Sequence, residues 1–89
     1  MQSRTVTITN KLGMHARPAA LLTKTANLFS CDIKLTKGSK VIDAKSILAV
    51  MALAAKCGEE ITITTDGAGE TTALESLASL ISSGFGEEE

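Results

Sequence analysis

Residues 4–29 read RTVTITNKLGMHARPAALLTKTANLF, and within them the hydrophobic period changes. From Arg4 to Thr9 polar and apolar residues alternate, with Val6 and Ile8 on one side. That is the pattern of a strand with one face buried. Asn10, Lys11, Leu12 and Gly13 form a loop with a flexible glycine. From Ala16 to Phe29 the pattern is helical: Leu22, Ala26 and Phe29 share one face. Pro18 lies near the start, where a missing N–H is tolerated. A strand, a short loop and a helix over 26 residues call for a sheet with helices laid on it.

The rest of the chain extends this plan. Residues 31–36, CDIKLT, alternate with Ile33 and Leu35 inward; Lys37-Gly38-Ser39 turns the chain and residues 40–44 return as a second strand. Ser46 suits the N-cap of a short helix from Ile47 to about Ala55, closed by Gly58. Residues 60–65, EITITT, make a fourth strand. Residues 70–83 make a last helix with Ala73, Leu74, Leu77, Leu80 and Ile81 on one stripe, ended by Gly84. The order β-α-β-β-α-β-α begins with the split β-α-β pattern. It predicts an α+β fold: a four-stranded antiparallel sheet with three helices on its apolar face.

Composition limits the function. At 89 residues the chain is expected to form one domain, 1–89, burying about 60–65% of its unfolded surface. A core that small leaves no room for a deep active site, so the function belongs on the surface. No apolar run is long enough to span a membrane and no signal-peptide core opens the chain, so the cytoplasm is the expected location. Cys31 and Cys57 fit no metal spacing and read as small apolar residues. With one histidine, a metal site is not expected. With Phe29 and Phe85 as the only aromatics, neither is nucleic-acid stacking.

The net charge of −1 conceals an asymmetry. All nine basic residues lie in residues 1–56, against only Asp32 and Asp43; the other eight acids lie in residues 57–89. This is either an ordinary solvated surface with an acidic tail, Glu87–Glu89, or a basic face for an acidic partner or a phosphorylated group.

The chemistry concentrates in Gly13-Met14-His15-Ala16-Arg17-Pro18. His15, the only imidazole, falls at the N-cap of the first helix, over the backbone N–H groups that begin at Ala16. Helix N-termini favour anions, because unpaired N–H groups and the positive dipole end point the same way. Arg17 adds a permanent cation suited to phosphate. Neutral imidazole is a nucleophile. The pattern therefore fits a phosphoryl site, although spacing alone favours an indifferent capping histidine beside a solvated arginine. No serine, cysteine or carboxylate stands close in sequence for a hydrolase.

The short helix offers a second feature. Ile47, Leu48, Val50, Met51 and Leu53 cover more than one face, whereas a helix lying on a sheet buries only one stripe. Ile47, Leu48 and Met51 are the expected exposed set, either a protein-docking patch or simply extra burial in a small fold. Ser46 reads as an ordinary N-cap or as a phosphorylation site whose charge would stand beside that patch.

Asn10-Lys11-Leu12-Gly13-Met14-His15-Ala16-Arg17-Pro18-Ala19 closely resembles the active-site segment of the HPr family, histidine phosphocarriers of the bacterial phosphotransferase system. The resemblance covers the length, the element order, Lys45-Ser46-Ile47 and the last helix. It implies an open-faced β-sandwich and a carrier rather than a free-standing enzyme, with no cofactor. It implies that His15 takes a phosphoryl group through Nδ1 from Enzyme I and passes it to a histidine of an Enzyme IIA protein, with Arg17 assisting. It implies a docking face of Ala20, Lys24, Ile47, Leu48 and Met51. In some members a dedicated kinase phosphorylates Ser46 and weakens transfer from Enzyme I. The chain is expected to act as a monomer.

Two branches of the family fit different segments. Asn10 to Pro18 and the Ser83-Gly84-Phe85 ending resemble the nitrogen-related branch, NPr. Lys45-Ser46 resembles the sugar branch, which is the preferred reading. The alternative from another class is a regulatory binding module that works through the second helix and does not use His15.

Overall fold

The computed structural model describes residues 1–86; the acidic tail, Glu87–Glu89, lies outside the described residues. Four strands, β1 (Gln2–Thr7), β2 (Asp32–Lys37), β3 (Lys40–Asp43) and β4 (Glu60–Asp66), form one antiparallel sheet in the order β1-β4-β2-β3. Three helices, α1 (Ala16–Ala26), α2 (Ile47–Leu53) and α3 (Glu70–Ser82), cover one face. This is the sheet with helices on one face that the alternation predicts, and the open-faced sandwich that the resemblance implies.

Side-chain alternation sorts the two faces. Val6, Ile33, Leu35, Ile61 and Ile63 point into the core, joined by Leu22 of α1, Val50 and Leu53 of α2, and Leu74, Leu77 and Ile81 of α3. The opposite face carries a cross-strand row, Thr5, Thr62, Thr36 and Val41, in direct register. Thr5 and Thr62 share a hydroxyl hydrogen bond of 2.9 Å.

Several boundaries differ from the sequence expectation. The first strand runs from Gln2 rather than Arg4. Its pairing continues one step past Thr7, where Ile8 N–H donates to the Glu59 carbonyl at 2.9 Å. Helix α1 ends at Ala26 rather than Phe29, because Leu28 and Phe29 donate to carbonyls three residues back and tighten the last turn. Phe29 still packs on the core. Helix α2 ends at Leu53, closed by Ala54 in a left-handed conformation (φ 54°), not by Gly58. Past α3, Gly84–Gly86 adds a 3-10 turn in which buried Phe85 has φ 60°. Cys31 is buried as expected, whereas Cys57 is exposed and its thiol points to the Thr9 carbonyl at 3.7 Å.

Candidate functional site

The loop that carries His15 is built tightly. Asn10 is buried, and its side-chain amide donates to the Gly13 carbonyl at 2.7 Å while Gly13 N–H donates to the Asn10 carbonyl at 3.0 Å. Gly13 has φ 67°, and a Cβ there would lie 2.6 Å from the Ala55 carbonyl oxygen and 2.9 Å from Lys56 Cα. Both the backbone conformation and the close approach exclude a side chain. Met14 is buried and donates its N–H to the Ala55 carbonyl at 2.8 Å. The loop thus rests on the chain just after α2.

His15 follows as the N-cap of α1, with extended backbone (φ −91°, ψ −171°) and a half-buried side chain. Its carbonyl accepts the Ala19 N–H at 3.0 Å, the first bond of the helix. The first three helical residues are Ala16, Arg17 and Pro18, and proline has no N–H. The amides of Ala16 and Arg17 are therefore the two first-turn donors with no partner inside the helix. Ala16 and Arg17 are exposed, while Pro18 and Ala19 are buried. No acid stands in this first turn to offset its positive end. The helix start is thus a positive, solvent-facing end with the imidazole beside it, as the sequence leads one to expect.

Helices α1 and α2, which carry the residues expected to dock, pack against each other. Ala20 and Lys24 of α1 are exposed. On α2, Leu48 is 78% exposed, Ile47 39% and Met51 41%, while Val50 and Leu53 are buried. Of the two outcomes the sequence leaves open, exposure or extra burial, the helix shows one buried stripe and an exposed apolar set. Leu12, in the His15 loop, and Leu21 of α1 are exposed as well. Nothing in the sequence separates them from ordinary surface leucines.

Ser46 is exposed and caps α2, accepting the Ala49 N–H on its hydroxyl at 3.3 Å. The turn before it is tied to α1: the Lys45 ammonium donates to the Phe29 carbonyl at 2.7 Å, and the Asn27 amide donates to the Lys45 carbonyl at 3.2 Å. Among the described residues no cluster of His, Cys, Asp or Glu is disposed to hold a metal ion, and no helix is long and apolar enough to cross a membrane.

Residues 2–83 match the family model described as the HPr component phosphorylation site of the phosphotransferase system. The chain belongs to the HPr family. It is 46% identical to the phosphocarrier protein HPr of Cupriavidus necator over the full length of both chains. It superposes on HPr-C-His from Thermoanaerobacter tengcongensis with a TM-score of 0.96 and 43% identity, again over the whole of both chains. A second structure from that organism, an HPr dimer, matches with a TM-score of 0.78 and 42% identity, over 98% of this chain and all of that one. The relatives therefore include dimers and do not by themselves carry the expectation of a monomer. Membership assigns the phosphocarrier role within the phosphotransferase system, with a phosphohistidine.

Proposed function

We propose that His15 accepts the phosphoryl group through Nδ1 from phosphorylated Enzyme I, charged by phosphoenolpyruvate, and passes it to a histidine of an Enzyme IIA protein in the cytoplasm. As the new N–P bond forms, the bond to the donor nitrogen breaks, in line with it. The observation that carries this reading is the place of His15 at the N-cap of α1, where Ala16 and Arg17 are exposed and their amides have no partner inside the helix. Those donors and the Arg17 guanidinium stabilise the charge on the transferred group. The exposure of the site supports the same reading, because two histidines on two proteins must approach within bonding distance of one phosphorus. An open site also holds the group loosely enough to release it.

The exposed set of Ala20, Lys24, Ile47, Leu48 and Met51 is the proposed docking face. The proposed transfer unit is the single chain, since a second copy covering Leu48 would block the partner. Ser46 is proposed as a regulatory site for a dedicated kinase. A phosphate on its hydroxyl would remain compatible with the helix start and place negative charge next to Ile47 and Leu48. The sugar branch is preferred over the nitrogen branch on Lys45-Ser46; competition between the two branches' Enzyme I proteins for this chain would separate them.

Incubation with Enzyme I and phosphoenolpyruvate tests the central assignment. The wild type should gain an acid-labile, base-stable phosphate, and His15→Ala should gain none. Equal labelling of the alanine variant would refute the assignment. Binding to regulators that survives in His15→Ala, with no transfer by the wild type, would instead favour a pure binding module.

A further inference from the structure

The His15 loop hangs on a short segment of chain that is itself held from outside. Met14 N–H donates to the Ala55 carbonyl at 2.8 Å, and Gly13 lies close against Ala55 and Lys56. A displacement of residues 54–57 would therefore displace Met14 and, one peptide on, His15. Yet this segment is not part of α2. It leaves the helix at Ala54 with φ 54°, a conformation that residues with a Cβ adopt only when their surroundings enforce it.

Two side chains grip the segment, one on each side of Ala55. Before it, the Lys37 ammonium, at the end of β2, donates to the Ala54 carbonyl at 3.3 Å. After it, Glu59 Oε1 accepts the Lys56 N–H at 2.7 Å. The same oxygen lies 3.5 Å from Lys37 Nζ, so the two holders are joined to each other. Glu59 is in turn anchored to the sheet, because its carbonyl accepts Ile8 N–H at 2.9 Å. The Lys56 N–H holds the Glu59 carboxyl below its ordinary range, with Lys37 adding to the effect, so the anion is the form present near neutral pH.

We infer that Lys37 and Glu59 act as positioning residues for phosphotransfer, clamping residues 54–56 so that the Ala55 carbonyl holds Met14, and with it His15, in register for in-line attack. This deepens the assignment of His15 and rests on it. Small displacements of a reacting group cost far more in rate than in binding, so the clamp acts on kcat, while the exposed docking side chains, to which neither Lys37 nor Glu59 bonds, set KM.

The test uses Lys37→Met, Glu59→Ala and Glu59→Gln in the full chain. Each variant is assayed with Enzyme I and phosphoenolpyruvate and followed by amide hydrogen exchange at Met14 and at Ile63, deep in β4. Glu59→Ala should lower kcat roughly fivefold with KM for Enzyme I unchanged. It should speed exchange at Met14 about tenfold while Ile63 stays protected. Glu59→Gln, which keeps an oxygen for the Lys56 N–H, should recover most of both effects. Lys37→Met should resemble a milder Glu59→Ala, and the double variant Lys37→Met/Glu59→Ala should be little worse than Glu59→Ala alone. Unchanged kcat and Met14 exchange in a folded Glu59→Ala would overturn the proposal. Equal loss of protection at Met14 and Ile63 would overturn it too, reducing the pair to a general stabilising contact. Failure of wild-type His15 to take up phosphate would overturn its assignment as the transfer residue, whereas Met14 exchange judges the clamp separately.

Discussion

Ala54 and Gly13 lie on either side of the same contact and obey opposite rules. Gly13 has positive φ and no space for a Cβ. Ala54 has positive φ with a Cβ, at a strain of about 1–2 kcal/mol. Ala54→Gly should therefore stabilise the protein by about 1 kcal/mol after the added freedom of the unfolded chain is counted. A rise in melting temperature of about 4–8 °C by calorimetry would report it. Arg17 is the other informative single residue. Arg17→Ala should slow phosphotransfer by about 10²-fold, as expected for losing a donor to a developing charge. Arg17→Lys should recover only part, since an ammonium lacks the two-pronged geometry of guanidinium; rapid-quench kinetics would measure both. His15, Arg17 and Gly13 were legible because their meaning is local: a glycine, an imidazole and a cation at a helix start. Ala54 was not, because an alanine inside an apolar run gives no local sign of a left-handed turn. Gly58, four residues on, is the expected terminator, yet it lies in the following turn instead.

At the level of elements, α2 has two jobs that meet at Ser46. The serine hydroxyl caps the helix, and the exposed apolar set begins at the next residue. Ser46→Asp keeps an acceptor suited to the cap, so its melting temperature should stay close to wild type. Its transfer rate from Enzyme I should nevertheless fall, because a carboxylate then borders Leu48. Calorimetry and steady-state phosphorylation of the same sample would separate the two effects, and unchanged transfer would argue against regulation at this serine. The three helices and four strands could be read from period alone, since each is amphipathic at its own repeat. Their ends could not. The last turn of α1 tightens at Leu28 and Phe29 and is tied by Lys45, eighteen residues after Asn27, through a bond that leaves no trace in the local pattern.

For the whole molecule, charge sets the pH range of stability. The Glu59 carboxyl is held below its ordinary value chiefly by the Lys56 N–H, and the Glu70 carboxyl chiefly by the Gly67 N–H. A depressed folded-state value means stability that is present above the unfolded value and lost as pH falls through the folded one. The chain should thus weaken progressively below pH 4.5, the ordinary value of both groups. The Met1 amine is shifted the other way, upward from 8.0, first by its hydrogen bond to Glu70. Its contribution is complete below 8.0 and fades as pH rises through the shifted value. Urea midpoints measured from pH 3 to pH 10 should trace both arms, and Glu70→Gln should flatten each of them. The sequence showed the division of charge between its two halves but not these contacts: two join a carboxylate to an N–H three residues back, and the third joins Met1 to Glu70 across the fold.

The strand order carries a further consequence. β1 lies at the edge of the sheet and pairs only with β4, so every one of its ladder partners falls between Glu60 and Thr65. During synthesis, at about 5–20 residues per second, the first strand leaves the ribosome seconds before anything exists for it to pair with. The hairpin of β2 and β3 can close meanwhile, but the opening residues wait with Val6 and Ile8 uncovered. β1 is thus made well before the strand that secures it.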